Sequence, residues 1–442
     1  MSGAASDEGN ELPEIVAVPP GPRSRELAAR LAAVESPAFD ARREARAKTS
    51  GEDHAPIVYA RGVGSNLFDV DGNRYVDMVA GFGALALGHA SPTIAKAIDA
   101  QMRVLPLALG DVYASEPKVV LCERLAAMFP EAGARVMLGL SGADAVTAAL
   151  KTAQLATRKP GVVAFDGSYH GLSHGPLAAC GLSEGFRAPF AEQLSSHVQF
   201  ARYPARDGDL DAALADVESA LDRGDVGAVL VEPILGRGGC IVPPDEFLPR
   251  LRRLCDASHA LLVVDEIWTA WRAGPRFRSI ARGVVPDVLC LGKALGGGMP
   301  ISACIGRARV MEAWGAHGGT TIHTATHFGN PIGCVAALAV LDALEAIVAT
   351  GSASESSDVL RNGTVGRGVR EVRGEGRMIG VHVEGGASRA LAVTRVLLRR
   401  GWIVLTGGIA GDVITLTPPL VLSRELWSAF TGALAGALEE VA

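Results

Sequence analysis

The sequence contains no C-x-x-C pair, and its seven cysteines (Cys122, Cys180, Cys240, Cys255, Cys290, Cys304 and Cys334) are scattered. An odd, dispersed set argues against a disulfide framework and offers no zinc-ligand spacing, so a reducing compartment and no bound metal are expected. Positive charge is also short: 42 Lys and Arg against 48 Asp and Glu leave a formal net charge of −6. Without a basic excess there is no electrostatic footprint for nucleic acid or an anionic membrane. No uninterrupted apolar run reaches the roughly 20 residues of a membrane span. The opening MSGAASDEGNELPEIVAVPPGP lacks the basic start and apolar segment of a signal peptide. These absences predict a cytoplasmic protein that handles small molecules.

What remains is material for a large globular enzyme: 442 residues, 48% of them hydrophobic, are enough for two or three domains. Residues 1–22, acidic and rich in Gly and Pro, read as a mobile arm. Residues 23–60 read as the N-terminal part of a smaller domain, opening with the helical pattern SRELAARLAAVES, and NLFDVDGNRYVDMV then reads as a hairpin turning at Asp71-Gly72. The large domain is assigned to residues 61–345. Between about 115 and 305 amphipathic segments alternate with the apolar runs RVMLGL, GVVAFD, VGAVLVE, ALLVVDE, DVLCLG and SACIG. That alternation predicts an α/β fold, a mostly parallel sheet flanked by helices, with ligands bound outside the carboxyl ends of the strands. After the helix CVAALAVLDALEAIVA, the stretch GSASESSD reads as a linker. Residues 346–442 form a C-terminal α/β portion with strands in RMIGVHV, WIVLTG and VITLTPP and a closing helix from Arg424.

Five segments at strand ends carry chemistry. In VVDEIWTAW, Asp265 closes an apolar run and either faces a ligand or caps a turn. In DVLCLGKALGGGMP, Lys293 follows the next strand on a glycine-rich turn, from which it reaches the same crevice. An isolated lysine is ordinarily a solvated surface charge. A lysine that is desolvated beside a strand-end aspartate instead has the chemistry of a Schiff-base nucleophile, with the acid holding a pyridine nitrogen protonated. In LSGADAVTAALKTAQ, small residues let the backbone N–H groups of Gly142 and Ala143 approach an anion at a helix start, the plain alternative being simple capping by Ser141. FDGSYHG presents Tyr169 and His170, either to stack on a planar heterocycle or as a partly buried pair without a ligand. In HTATHFGNP, the hydroxyl of Thr326 either donates to a phosphate or satisfies its own turn.

Together these segments, with EPILGRGGCIVPP, RGEGRMIGV and TPPL, resemble the class III aminotransferases, a pyridoxal 5′-phosphate family of fold type I, from about residue 57 onward. The resemblance implies a large domain on a seven-stranded, mostly parallel sheet and a smaller α/β domain formed by the N- and C-terminal segments. It implies that Lys293 holds the cofactor as an internal Schiff base and then moves the substrate proton, and that Asp265 keeps the pyridine nitrogen protonated. It places Ile267 on one ring face and Tyr169 on the other, Gly142 and Ala143 on the phosphate, His170 and Glu232 among the cofactor contacts, and Thr326 on the phosphate of a neighbouring subunit. A homodimer with its active site at the interface follows, acting on a small-molecule amine donor and a carbonyl acceptor.

The substrate side departs from the family pattern. Trp268 stands where many members have Gln, and the T-A-W-R stretch after it is one residue shorter. Arg237 occupies a position often held by Glu or Asp. Thr415 stands where many members have the arginine that grips the substrate carboxylate. Arginine is the side chain best shaped for a carboxylate, so this exchange means a relocated carboxylate site, a substrate with no carboxylate near the reacting carbon, or an Arg237 that is merely surface or salt-bridged. Phe82 and Trp268 are candidate pocket walls or plain core. An aminomutase or amino-acid racemase would use the same parts, and a cofactor-binding homologue without turnover is the non-catalytic alternative.

Overall fold

The computed structural model describes residues 9–316, 318–350, 356–364 and 366–441. The chain divides into two compact units, residues 1–91 with 351–442, and residues 92–350. The first unit opens with strands β1 (Tyr59–Val63), β2 (Asn66–Asp69) and β3 (Arg74–Asp77), paired antiparallel in that order. The β2–β3 turn falls at Asp71-Gly72, where Gly72 takes φ +92° and the Asp69 carboxylate accepts the N–H groups of Asp71 and Asn73. This hairpin lies in the first unit, so the division comes at residue 91 rather than at the expected residue 61.

Residues 1–8 of the expected arm lie outside the described residues. From residue 9 onward the segment is tied to the hairpin rather than free. Glu14 and Arg74 exchange backbone hydrogen bonds of 2.9 and 2.8 Å, and the N–H groups of Val16 and Ala17 donate to Asn73 Oδ1. Composition does not register such ties, because they use backbone groups and one amide rather than apolar area.

The second unit is built on a seven-stranded sheet: β4 (Arg135–Gly139), β5 (Gly161–Phe165), β6 (Val198–Ala201), β7 (Val226–Val231), β8 (Leu261–Asp265), β9 (Val288–Leu291) and β10 (Ser302–Gly306), in the order β4-β10-β9-β8-β7-β5-β6. Only β10 runs antiparallel to its neighbours. Every residue of β7, β8 and β9 is buried, which is why these strands read as continuous apolar runs. The helix Gly142–Thr157 covers one face with Ala145, Ala148, Ala149 and Ala153, small side chains that let it lie close to the strands. Because β4, β5, β7, β8 and β9 share one direction, residues 141–143, 169–170, 232, 265 and 293 all lie at or after strand ends on a single edge of the sheet.

The helix Pro331–Thr350 contains an 18-residue window, Pro331–Val348, with the length and mean hydropathy (2.0) of a membrane span. Half of that window is buried within the unit, and Asp342 and Glu345 pair with Arg124, so the helix has the character of a core element.

The C-terminal segment of the first unit contributes β11 (Val369–Glu375), β12 (Met378–Val383), β13 (Trp402–Ile403), β14 (Leu405–Gly407) and β15 (Val413–Leu416). Four of these form the sheet β11-β12-β15-β14, while β13 runs parallel to β3 with Trp402 opposite Val76. The closing helix spans Arg424–Glu440 and buries Leu426, Trp427, Phe430 and Leu434 in the core of this unit. Of the expected linker GSASESSD, residues 351–355 lie outside the described residues and the remainder opens the helix Ser356–Thr364.

Candidate active site

Asp265 is the last residue of β8, and parallel pairing sets it beside Cys290 of β9, three positions before Lys293. Its carboxylate is buried and fully engaged at its own base. Oδ1 accepts the Ile267 N–H at 3.0 Å, and His170 Nδ1 lies 2.8 Å from Oδ2, the geometry of an imidazole N–H donating to a carboxylate. His170 is itself buried, and its Nε2 has no partner among the described residues. The pair fixes a negative group at the strand edge while leaving lone pairs on both oxygens for a further donor.

Lys293 opens a short 3₁₀ turn, Lys293–Gly296, with φ +35°. A side chain in that region costs about 1–3 kcal/mol and persists only where surrounding packing enforces it. Gly292 before it packs on Ile267, whose Cγ2 would lie 3.3 Å from an added Cβ. The Lys293 amine sits 4.2 Å from the centroid of the Trp268 ring. Burial brings its pKa down from 10.5 to about 8; Asp265 and Glu232 pull it upward, while the charges of Arg237 and Arg272 push it further down. The amine is therefore available uncharged far more readily than an ordinary lysine.

A pH dependence follows. Between pH 8 and 10.5 the unfolded chain holds a proton on Lys293 that the folded chain has released, so this group makes stability rise with pH across that window. In cofactor-free protein, competitive acylation of Lys293 is expected to rise to half its limiting rate near pH 8. A midpoint above 10 would contradict a desolvated amine.

Glu232 follows β7 directly and joins two turns. Its Oε1 accepts the Tyr169 N–H at 2.7 Å and its Oε2 accepts the Gly236 N–H at 3.0 Å. Burial pushes its carboxyl up to about 7, with His170 pulling the other way and Asp265 adding to the rise. Tyr169 is half-buried, meets Phe186 edge-on at 6.4 Å, and has the Arg237 guanidinium 4.4 Å above its ring.

The start of the Gly142–Thr157 helix carries a capping box: Ser141 Oγ accepts from Asp144 N–H, and Asp144 Oδ2 accepts from the N–H groups of Leu140 and Ser141. Ser141 therefore does cap this helix. The N–H groups of Gly142 and Ala143 have no acceptor among the described residues, so capping by Ser141 leaves both open to a further acceptor. Gly142 cannot be replaced without displacement, because a Cβ there would stand 2.8 Å from Ile267 Cδ1. Ile267 thus fills the space between Gly142 and Gly292 on the edge that carries Asp265.

The remaining candidates are placed as follows. Trp268 is buried, and its indole N–H has no partner. Thr326 is exposed in the turn before the helix Pro331–Thr350. Phe82 and Thr415 belong to the other unit: Phe82 is 57% exposed with φ +59°, which removes it from that unit's core, and Thr415 is buried in β15 with its hydroxyl unpartnered. One residue that the sequence reading passed over is Glu266. It is fully buried and accepts from Thr269 Oγ1, Ser279 Oγ and the N–H groups of Arg278 and Ser279. It organises the chain after Asp265, and burial raises its pKa. The adjacent acidic pair Asp265-Glu266 was the only signal for it.

A buried strand-end carboxylate, a desolvated lysine one strand away, an aliphatic side chain packed on Gly142 and Gly292, and N–H groups at a helix start with no acceptor among the described residues suit a flat heteroaromatic aldehyde with a phosphate. That set, on the carboxyl edge of a seven-stranded sheet, defines a pyridoxal-phosphate enzyme of fold type I. The family profile described as "Aminotransferase class-III" matches residues 47–438. The chain is 37% identical to the acetylornithine aminotransferase of Methanopyrus kandleri over 87% of this chain and 94% of that one. It is 31% identical to the alanine/serine racemase of Pyrococcus horikoshii over 94% and 90%. Among solved structures, an amine transaminase from an uncultivated Pseudomonas species, in its PLP-bound form, superposes with a TM-score of 0.78 at 31% identity, covering 87% of this chain and 94% of that one. The chain belongs to the class III aminotransferase family. Its cofactor is pyridoxal phosphate and its chemistry is amino transfer.

Proposed function

We propose that Lys293 binds pyridoxal phosphate as a Schiff base and relays the substrate proton, in an enzyme that takes an amino group from a small amine or amino acid and passes it to a keto or aldehyde acceptor. The observation that carries this reading is the uncharged-prone Lys293 amine on the same sheet edge as the buried Asp265–His170 pair. The cofactor supplies an electron sink for the bond broken at the substrate carbon. Asp265, oriented by His170 and the Ile267 N–H, holds a negative charge where a protonated ring nitrogen needs one. Ile267 and Tyr169 would flank the ring, Gly142 and Ala143 would donate to the phosphate, and Glu232 keeps the Tyr169 turn in register with the Gly236 turn. Retention of both Lys293 and Asp265 disfavours a homologue that binds the cofactor without turnover.

The reading extends to a homodimer in which Thr326 reaches the partner's phosphate. Its support is the run between residues 102 and 120, where Met102, Val104, Leu109, Val112 and Tyr113 are all more than half exposed. Apolar exposure of that density marks a surface that another protein covers. A cytoplasmic location agrees with seven free cysteines, six of them buried.

The relative named as a racemase makes the acceptor requirement the deciding test. With a competent donor and no carbonyl acceptor, product is expected to stop at one equivalent per active site and to resume when a keto acid is added. Continued turnover without an acceptor would replace amino transfer by isomerisation.

A further inference from the structure

Among the described residues no counter-ion stands beside Arg237. Its guanidinium lies 4.4 Å over the Tyr169 ring and 6.0 Å from that of Phe186, and no carboxylate pairs with it among the described residues. It is only half-buried, so the side chain is not sealed within the core. A salt-bridged arginine would have its acid, whereas this one lies over the Tyr169 ring with none beside it among the described residues.

The local frame holds this cation in place. Gly236 is fixed by its N–H bond to Glu232, Leu235 and Ile241 form an antiparallel bridge across the turn, and Gly239 takes φ +112°. Glu232, by also binding the Tyr169 N–H, locks the stacking partner to the same turn. The guanidinium is near enough to the lysine for its charge to oppose protonation there. A planar, weakly hydrated cation stacked on a ring keeps its edge N–H groups free for a carboxylate fork.

We infer that Arg237 is the carboxylate anchor of this enzyme, so that its preferred donor or acceptor bears a carboxylate, recognised from the turn after β7 rather than from the Thr415 position. This rests on the amino-transfer reading of the same site and narrows it to amino acids and oxo acids. Arg237 determines specificity; it takes no part in the bond changes at Lys293.

The test compares holoenzyme with Arg237→Gln and Arg237→Lys. Paired donors that differ in the carboxylate, alanine with ethylamine and 4-aminobutyrate with propylamine, are followed by conversion of the bound cofactor to its pyridoxamine form. Wild-type enzyme is expected to favour at least one amino acid over its amine. Loss of charged hydrogen bonds in Arg237→Gln should lower that kcat/KM ratio by about 10- to 100-fold. Arg237→Lys, which keeps charge without the fork, should recover part of it. An unchanged ratio in Arg237→Gln, or a wild-type preference for every amine, would overturn the assignment. Calorimetric titration of each holoenzyme with propionate reads the anchor without turnover: weakening by the same factor in Arg237→Gln is expected, and equal binding refutes it. If no donor converts the cofactor in any protein, amino transfer fails while the propionate titration still decides Arg237.

Discussion

Lys293→Ala is expected to lower amino-transfer turnover by about 10³-fold or more, because in the proposed function one side chain supplies both the covalent attachment and the proton relay. Folding should survive. Among the described residues the Lys293 amine makes no hydrogen bond, and it lies over the face of the Trp268 ring. Alanine removes the desolvated amine and occupies the same φ +35° backbone that lysine already tolerates. Steady-state rates measured with a thermal unfolding curve separate the two effects. Turnover within tenfold of wild type, with the fold intact, would remove Lys293 from the chemistry.

The second large effect belongs to Asp265. Asp265→Asn keeps an oxygen for the Ile267 N–H but loses the charge that His170 pairs with, and a neutral partner no longer holds a pyridine nitrogen protonated. A fall in turnover of about 10²- to 10⁴-fold is expected, the range associated with positioned acid–base groups, with cofactor still bound. Asp265→Ala should add a stability loss of about 1–3 kcal/mol, since it strands a buried His170 N–H and the Ile267 N–H. Equal rates in Asp265→Asn and wild type would show that the carboxylate's charge is not used, whatever its structural value.

The legible parts of this protein are those where burial writes itself into composition. Strands β7, β8 and β9 are buried on both faces and read as unbroken apolar runs ending in Glu232, Asp265 and Gly292-Lys293. Three strands escaped notice, β6, β11 and β1, and all three are sheet edges. Gln199 interrupts the first, and Arg370, Glu371 and Arg373 fill the second, so neither offers a hydrophobic signal. Edge strands are stabilised by pairing on one side only and can stay polar.

The site shows the same asymmetry. Lys293, Asp265 and the small residues 142–143 were recognisable by type and position. The tie that Glu232 makes between two turns, and the four bonds of Glu266, depend on backbone N–H groups whose placement only the folded chain reveals. The hydrogen-bonded segment from residue 9 onward was hidden for the same reason. For Arg237 the sequence left several readings open, and its stacking on Tyr169, with no acid paired to it among the described residues, is what the proposed carboxylate role rests on.

Covalent attachment at Lys293 is the point on which everything else depends, and borohydride reduction of the holoenzyme followed by peptide mass spectrometry measures it directly. The expected result is a phosphopyridoxyl group on the peptide that contains Lys293, and on no other lysine. A reduced cofactor recovered free, or attached to Lys151 or any other amine, would contradict the account.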